Sequence, residues 1–349
     1  MRIYNKLFKL IIEPENLFSA WDEFKKGKGG KLDVLHFEKN LEQNIFQLHR
    51  DLQGKTYKHG GYISFYIHDP KLRHIHKATV RDRVLHHAVF KVLSPIFEST
   101  YIHNSFSCRI GKGNHKGVKS LAHMLRQASK NNTQMCFVLK CDIRKFFDSI
   151  DHDILIKLIQ RKIRDKDTLN LLEEIIASFA SEQAGLFRRK GVPIGNLTSQ
   201  LFANVYMNGL DHFIRHNLKV KYYARYTDDF IIVSDNENYL KELLFPIQLF
   251  LKEKLKLELH PSKVNIRKYL HGIDFLGYVT LPHHIALRTH TKKRMLWKLR
   301  NKMAEYKNNT INKTTLFATL QSYLGVLSHA DAHKLSEDLQ NKFWFQLNK

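Results

Sequence analysis

The sequence predicts an α+β fold in which helices pack around a small antiparallel sheet. Segment 137–143 alternates apolar and polar residues as a half-buried strand does. Segments 222–226 and 230–234 flank a short polar turn, which is typical of a hairpin. Over 79–98 the apolar residues instead recur at helical spacing. The 349 residues suffice for one large core with appended elements.

The charge of the chain points to a polyanionic partner. Lysine and arginine number 57 against 33 acidic residues, which gives a formal net charge of +24. Nucleic acid is the simplest such partner, because each phosphate contact releases condensed counterions. A solvated basic surface without a partner would have the same composition. Hydrophobic residues make up 43% of the chain, which excludes a disordered protein.

Cysteine usage and hydropathy indicate a reducing compartment. Cys108, Cys136 and Cys141 lack CxxC spacing, which argues against a disulfide framework or a zinc site. Cys136 and Cys141 fall in the apolar strand, where a small buried hydrophobe is expected. No apolar run has the length of a membrane span, and "MRIYNKLFKLIIEPEN" has no signal-peptide cleavage pattern. We therefore expect a cytoplasmic protein with no membrane partner.

In the first half of the chain, residues 1–60 have the pattern of helices joined by basic, glycine-rich segments, and 61–69 that of a strand. After the strand at 137–143, Ser149 or Asp151 is expected to cap a helix, because apolar residues then repeat at helical spacing.

In the second half, 191–216 reads as a loop with glycine and proline that enters a long helix capped by Asn196 or Thr198. After the hairpin, a helix is expected at about 237–256, followed by short strands. From about 285 onward the chain is helical and basic.

Carboxylates stand where the predicted strands end. Asp142 closes the first strand, while Asp228 and Asp229 lie in the hairpin. If these strands are neighbours, the carboxylates converge and repel each other unless a cation joins them. Mg²⁺ is the natural cation, with two ions expected and Mn²⁺ as an alternative, since carboxylates and substrate phosphates are its preferred ligands. Taken alone, adjacent aspartates are common turn formers.

The chain resembles the reverse transcriptases of bacterial retroelements over roughly residues 60–330. The box "YTDD" is similar to the family's YxDD hairpin, and "DIRKFFDSIDH" to its first catalytic strand. Further segments match in family order: "KLRHIHKATVRDRVLHH" (71–87), "FSCRIGKGNHKG" (106–117), "GVPIGNLTSQ" (191–200), "LELHPSKVNI" (257–266) and "FLGY" (275–278).

The resemblance implies a right-hand polymerase with fingers, an antiparallel-sheet palm and a helical thumb. We expect an N-terminal extension and fingers at 1–135 with part of the palm interleaved. The palm with the catalytic boxes would follow at 136–282, and the thumb at 283–349.

The resemblance also assigns the chemistry. Asp142 and Asp228 would coordinate the metals, with Asp229 as the second carboxylate of the hairpin. The carbonyl of Ile143 would be a further ligand. Lys263 matches the lysine that would protonate the leaving pyrophosphate, although an exposed surface lysine is the alternative.

Nucleotide contacts follow from the same resemblance. Phe147 stands where the family places its steric gate against a ribose 2′-hydroxyl, although either Phe146 or Phe147 could be a core residue. Ile194 begins the nucleotide-contact box, and Gly195 would let the backbone approach the template–nucleotide pair. The candidates for gripping the triphosphate are Lys71, Arg73, Arg81 and Arg83. A structural ion pair of one arginine with Asp82 is the alternative.

Template and primer contacts complete the set of candidates. Gln200 ends the nucleotide-contact box, and "FLGY" matches the primer grip. These predicted contacts are Gln200, Phe275, Leu276, Gly277, Tyr278, Lys292, Lys293 and Arg294. Buried strand residues or a solvated helix face would have the same pattern.

"IGNLTSQLFANVYMNGLD" and "SYLGVLSHADAHKL" are most similar to the enzymes of diversity-generating retroelements. Such an enzyme copies a template RNA into cDNA and misincorporates opposite adenine. The implied partners are template RNA, the RNA/DNA duplex, dNTPs and a small helical oligomeric accessory protein. A defence-associated reverse transcriptase, template-independent or self-primed, is the alternative, and a non-catalytic RNA-binding scaffold ranks lower.

Overall fold

Helices and short antiparallel strands follow one another in the computed structural model, which describes residues 2–68, 72–179 and 189–347. The helices are α1 (Leu7–Ile12), α2 (Pro14–Lys25), α3 (Leu32–Lys39), α4 (Leu41–Gln53), α5 (Val80–Glu98), α6 (Asn114–Ala128), α7 (Phe146–Ser149), α8 (His152–Gln160), α9 (Lys166–Ala177), α10 (Leu197–His212), α11 (Glu237–Glu242), α12 (Leu244–Leu255), α13 (Thr289–Lys307), α14 (Lys313–Leu327) and α15 (His333–Leu347). The strands are β1 (Tyr62–His68), β2 (Leu72–Ala78), β3 (Phe137–Asp142), β4 (Tyr222–Tyr226), β5 (Asp229–Ser234), β6 (Asn265–Lys268), β7 (Ile273–Phe275), β8 (Tyr278–Thr280) and β9 (Ile285–Leu287).

A four-stranded antiparallel sheet of order β4-β5-β3-β6 lies at the centre. In its register Leu139 stands opposite Ile232, and Asp142 opposite Asp229. This confirms that the two strands with carboxylates are neighbours. Side chains of successive strand residues alternate between the two faces. Leu139 and Ile232 therefore belong to a large core with the helices, while Val138 belongs to a second core with α6 and β7.

Helices α1 to α5 pack as a layer whose core is continuous with that of the sheet. From this layer the two-stranded ribbon β1–β2 extends, and most of its side chains are exposed or half-buried. Helix α5 begins at a capping residue, Thr79, whose side chain accepts a hydrogen bond from the amide of Asp82. Helix α8 begins at Asp151, which accepts from the amide of Ile154, so Asp151 and not Ser149 is the cap.

Helices α13, α14 and α15 enclose a core of their own. Met295, Leu299 and Met303 recur at every fourth position of α13 and pack against the other two helices. The small sheet β7-β8-β9 leads into this unit, because β9 ends just before α13 begins. The helical tail predicted from the sequence is thus present as a three-helix unit.

The cysteines and the hydropathy of the helices can be compared with the sequence-based expectations. Cys136 and Cys141 are buried, as predicted for small apolar residues, and burial raises the pKa of each thiol to about 12. Across the described segments, none of the helices combines the length and apolarity that a membrane crossing requires.

Candidate active site

Three carboxylates meet at one end of the central sheet. Asp142 is the last residue of β3 and Asp229 the first of β5, directly opposite each other. Asp228 lies in the two-residue turn of the β4–β5 hairpin. The amide of Ile143 donates to the carbonyl of Asp228 over 3.3 Å, so the turn is also bonded to the chain that leaves β3. The hairpin geometry therefore brings together the aspartates that the sequence predicted to converge.

Burial disfavours the ionised form of Asp228 and of Asp229. Desolvation raises the pKa of Asp228, and the charge of Asp142 raises it further. Desolvation also raises the pKa of Asp229 to about 6, against the attraction of Lys140. The Oδ1 atom of Asp229 is buried and has no hydrogen-bond partner. A buried oxygen of this kind is costly without a cation or donor beside it.

Two lysines supply positive charge to the carboxylates. The Nζ atom of Lys263 lies 2.7 Å from Oδ1 of Asp142. It is brought there by the backbone, because His260 donates its amide to the carbonyl of Asp142 over 2.7 Å, and the amide of Lys263 donates to His260. The Nζ atom of Lys140 lies 3.4 Å from Oδ2 of Asp229.

Lys140 also lies at this site, although it was not among the residues predicted from the sequence. It also donates to the carbonyl of Asp274 in β7 over 3.0 Å, so it joins the central sheet to the small one. The available signal was the alternation of β3, because a residue two positions before Asp142 faces the same side of the strand.

The donor set fits a hard cation. Among the described residues, no three His, Cys, Asp or Glu side chains are placed so that together they could hold a metal ion, so the three aspartates would need further ligands. Mg²⁺ does not need a complete set of protein ligands, since it is commonly held by one or two carboxylates together with substrate phosphates. Asp142, Asp228 and the orphaned oxygen of Asp229 provide ligands of that kind. The residues present therefore fit the predicted metal.

The predicted nucleotide contacts approach the carboxylates from two sides. Phe146 is core and Phe147 is half-buried, so of the two aromatic residues Phe147 is the one available for contact. Arg73 of β2 lies near enough to Asp228 to lower the pKa of that carboxyl in part. The carbonyl of Ile194 accepts from the amide of His76 in β2 over 3.3 Å. The loop that holds Ile194 is therefore hydrogen-bonded to the ribbon.

Gly195 occupies a backbone conformation that favours glycine. Its φ is +115°, and a Cβ atom placed there would lie 3.2 Å from Cγ2 of Ile75. A side chain at this position would thus be strained and crowded against the ribbon. The crowding here is with β2, whereas the approach predicted for Gly195 is to the template–nucleotide pair and stays a prediction.

Of the other predicted triphosphate contacts, two arginines form ion pairs within the protein, and the lysine is not among the described residues. Arg81 donates to Oδ2 of Asp51 over 2.8 Å, and Arg83 donates to Asp33 over 2.6 Å. Neither arginine pairs with Asp82 as the alternative proposed; that buried carboxylate accepts from Tyr57 and other neighbours. These bonds tie α5 to the N-terminal helices. Lys71 lies outside the described residues.

The predicted primer contacts form a tight hairpin beside the site. Leu276 and Gly277 make the turn between β7 and β8, with φ of +52° and +89°. Phe275 is fully buried, and the hydroxyl of Tyr278 donates to the carbonyl of Val326 in α14 over 3.0 Å. Gln200 is exposed in the first turn of α10.

The predicted duplex contacts of the thumb lie on the outer side of α13. Lys292 and Lys293 are exposed, and Arg294 is half-buried. Met295 follows them and faces the core of the three-helix unit. The helix therefore has a packed side and a basic side, as the sequence allowed.

Comparisons with known proteins agree with this geometry. The model of the family "Reverse transcriptase (RNA-dependent DNA polymerase)" matches residues 65–280. The chain is 26% identical over 242 residues to protein YkfC of Escherichia coli, an alignment that covers 60% of this chain and 63% of YkfC. It is 24% identical over 346 residues to the group II intron-encoded protein LtrA of Lactococcus lactis, covering 79% of this chain and 56% of LtrA. The chain thus spans about three fifths of the length of these relatives.

A solved structure shares the fold. Telomerase from Candida albicans, determined in complex with a fragment of telomeric RNA, superposes with a TM-score of 0.50 at 12% identity. The superposition covers 78% of this chain and 56% of the telomerase chain. At that identity the similarity concerns the fold alone.

Proposed function

We propose that this chain, which belongs to the reverse transcriptase (RNA-dependent DNA polymerase) family and has a right-hand polymerase fold, copies an RNA template into complementary DNA. The observation that carries the proposal is the meeting of Asp142, Asp228 and Asp229 at one end of the central sheet. A strongly basic chain that concentrates buried carboxylates at one point is suited to act on a polyanion through bound cations.

In this proposal Asp142, Asp228 and Asp229 hold two Mg²⁺ ions, with the carbonyl of Ile143 as a further ligand. Bound Mg²⁺ would activate the primer 3′-hydroxyl and neutralise the charge that develops on pyrophosphate. Lys263 donates a proton to the departing pyrophosphate, a role supported by its ammonium group 2.7 Å from Asp142. Lys140 keeps Asp229 oriented through its contact with Oδ2.

Around the carboxylates, Phe147 excludes a ribose 2′-hydroxyl, and Arg73 contacts the triphosphate. Gln200 and the hairpin formed by Phe275, Leu276, Gly277 and Tyr278 contact template and primer. The division of the chain into fingers, palm and thumb at 135 and 282 is part of the same proposal. It is supported by the separate core of α13, α14 and α15.

Within the family we propose the diversity-generating type, error-prone opposite adenine and dependent on a structured template RNA and a small helical oligomeric accessory protein. Its support is the apolar Ile194, whose main chain is bonded to the ribbon while its side chain offers no hydrogen bond to a nucleotide. Replacement by glutamine, as Ile194→Gln, is expected to reduce errors opposite adenine. An unchanged error spectrum would remove this explanation.

The test is primer extension with Mg²⁺, dNTPs and a primed RNA template, beside an Asp228→Ala/Asp229→Ala variant, with the products sequenced. Template-dependent cDNA that is lost in the variant supports the polymerase, and errors concentrated at adenine support the subtype. Product formed without template RNA would instead indicate a self-primed or template-independent enzyme of the defence-associated type. If no product forms even with the proteins of neighbouring genes added, the RNA-binding scaffold is favoured.

A further inference from the structure

A buried ion pair lies directly behind the turn that carries Asp228. Arg225 is the fourth residue of β4, and Asp211 lies near the end of α10; both side chains are fully buried. The guanidinium binds the carboxylate through two parallel bonds, Nε to Oδ1 over 2.7 Å and Nη2 to Oδ2 over 2.6 Å. Paired bonds of this kind fix the guanidinium plane as well as its position.

The remaining donors of this guanidinium reach two further segments and a second residue of α10. Nη1 donates to the carbonyl of Thr227 over 2.9 Å and to Oδ1 of Asn204 over 3.4 Å. Nη2 also donates to the hydroxyl of Ser105 over 3.1 Å. An arginine has five N–H donors in a rigid arrangement, and here all five are engaged. A lysine could not reproduce these directions, because its three donors leave a single nitrogen atom.

The bond to Thr227 matters because that residue has an unfavourable backbone. Its φ is +57°, which is uncommon for any residue but glycine and most unfavourable for a β-branched one. Its hydroxyl donates to the hydroxyl of Ser107 over 2.6 Å, and the carbonyl of Ser107 accepts from Asn204. Both the carbonyl and the hydroxyl of Thr227 are thus held by the buried network. Unfavourable backbone conformations persist where several surrounding contacts enforce them.

Stability alone is a weak reason for such a pair. Removing two charges from water is costly, and apolar residues of similar volume often serve a core as well or better. The pair instead fixes a conformation, since its five bonds end on α10, on the loop before α6 and on the turn itself. The next residue after the constrained Thr227 is Asp228.

We propose that Asp211 and Arg225 are positioning residues, which hold Thr227 in its left-handed conformation and thereby place the carboxylate of Asp228 beside Asp142 for a divalent cation. They touch neither the substrate nor the reacting atoms. The inference deepens the proposed function and rests on it for the reaction, but the placement of the carboxylates can be measured without any reaction.

The test compares Arg225→Lys with wild type in two measurements that need no turnover. Mn²⁺ titration followed by electron paramagnetic resonance gives the metal affinity, and hydrogen exchange gives the protection of the turn amides. We expect Arg225→Lys to weaken Mn²⁺ binding roughly tenfold and to speed exchange at 227–229, because the bond to the Thr227 carbonyl is lost. Where wild type makes cDNA, its maximal rate should fall on the order of 100-fold with little change in KM for dNTPs.

Arg109→Lys is the matched control. Arg109 is also nearly buried and binds a carboxylate through two nitrogens, that of Glu98. Its other bonds go to the carbonyls of Ile102 and Ser105 over 2.7 Å each and not to the turn. We expect Arg109→Lys to lose about as much thermal stability as Arg225→Lys does. Its Mn²⁺ affinity and the hydrogen exchange of the turn amides should stay as in wild type.

Should Arg225→Lys not fold, Tyr223→Phe replaces it. The hydroxyl of Tyr223 donates to Oδ1 of Asp211 over 2.7 Å, and its removal leaves the guanidinium bonds in place. A several-fold effect in the same direction is then expected. The proposal is overturned if the folded variant binds Mn²⁺ and exchanges its turn amides as wild type does. A further outcome is that wild type makes no cDNA while the variant binds Mn²⁺ more weakly than wild type does. That result would support the positioning role and contradict the polymerase activity.

Discussion

Asp229 is expected to reduce the stability of the fold at neutral pH. Burial raises its pKa to about 6, whereas an unfolded aspartate titrates near 3.8. The native state therefore holds this proton more tightly, and the stability due to protonation is lost as the pH rises from about 4 through 6. A shift of this size corresponds to at most about 3 kcal/mol. Asp229→Asn should accordingly stabilise the protein, more at pH 8 than at pH 5, in urea unfolding with EDTA present.

Asp151→Asn is the control of opposite sign. Burial alone would raise the pKa of Asp151, but Lys256 at 2.7 Å and the amide of Ile154 outweigh it, so the pKa lies below its usual range. This carboxylate stabilises the fold above its unfolded pKa, and its amide variant should lose stability at pH 8. If Asp229→Asn also lost stability at pH 8, the buried carboxylate would not be a source of strain.

Phe147 gives a prediction about sugar selection. It is half-buried next to the fully buried Phe146, with ring centroids 5.3 Å apart. Phe147→Ala should raise incorporation of ribonucleotides relative to deoxynucleotides roughly tenfold or more, because the ring that would contact a 2′-hydroxyl is removed. Single-nucleotide extension with rNTPs and dNTPs measures this ratio. Phe146→Leu should lower thermal stability and leave the ratio unchanged, and equal ratios in both variants would refute the gate.

The sequence identified single residues well where local alternation decides their direction. Asp142 and the hairpin aspartates were expected to converge, because Asp142 ends a strand of period two and Asp228 and Asp229 lie in the turn of a hairpin; the register places Asp142 opposite Asp229. Arg81 and Arg83 were selected from the family resemblance, by their charge and their capacity for paired hydrogen bonds. Their partners lie in α3 and α4, and a sequence cannot show such contacts between distant segments.

Helix α13 presents its basic side to solvent while Met295 and Leu299 anchor it to the three-helix unit. If Lys292 and Lys293 contact phosphates, their joint replacement by alanine should weaken duplex binding and reduce the slope of log affinity against log salt by about 2. Binding of an RNA/DNA duplex at several salt concentrations tests this.

The control replaces Lys6 and Lys9, which are exposed at the start of the chain and on α1. It removes the same charge from the molecule but none from α13. An equal change of slope in both variants would mean that net charge, and not the thumb helix, governs duplex binding.

Elements were predictable in proportion to their periodicity. The strand β3 alternates apolar and polar residues, and the β4–β5 hairpin has two apolar runs around a polar turn; both were expected at nearly their observed bounds. The strand β2 was not, because "LRHIHKA" is basic and rich in histidine and pairs only with β1 in an exposed ribbon. The three-residue strand β9 is too short to produce a pattern, and only its pairing with β8 defines it.

Considered as a whole, the molecule places three separate cores around one group of carboxylates. The largest core joins the N-terminal helices to one face of the central sheet, and the second joins α6 and β7 to the other face. The carboxylates lie at the sheet end that β6, β7 and the hairpin turn surround. The third core lies in the C-terminal helices and shares no buried residue with the two cores of the sheet.

Several hydrogen bonds between described residues attach that C-terminal unit to the small sheet. The backbone of Asp331 and that of Ile285 in β9 are joined over 2.7 Å, and Oδ2 of Asp331 also accepts from the amide of Ile285 over 2.7 Å. The hydroxyl of Tyr278 makes a further bond to α14, and the rings of His115 and His329 lie 3.6 Å apart. Loss of one such bond is expected to weaken the attachment of the C-terminal unit by about 1 kcal/mol, which corresponds to roughly a fivefold change in the rate of its detachment.

Asp331→Ala should therefore shorten cDNA products without slowing the addition of a single nucleotide. If the C-terminal unit is the proposed thumb, looser attachment releases the duplex sooner, whereas the carboxylates proposed to perform the chemistry belong to the sheet and are unaffected. Product length is measured with a trap that prevents rebinding, and single additions by rapid quench. Asp338→Ala, an exposed position on α15, is the matched control and should preserve product length. Slower single additions in Asp331→Ala would show instead that thumb and sheet act as one rigid unit.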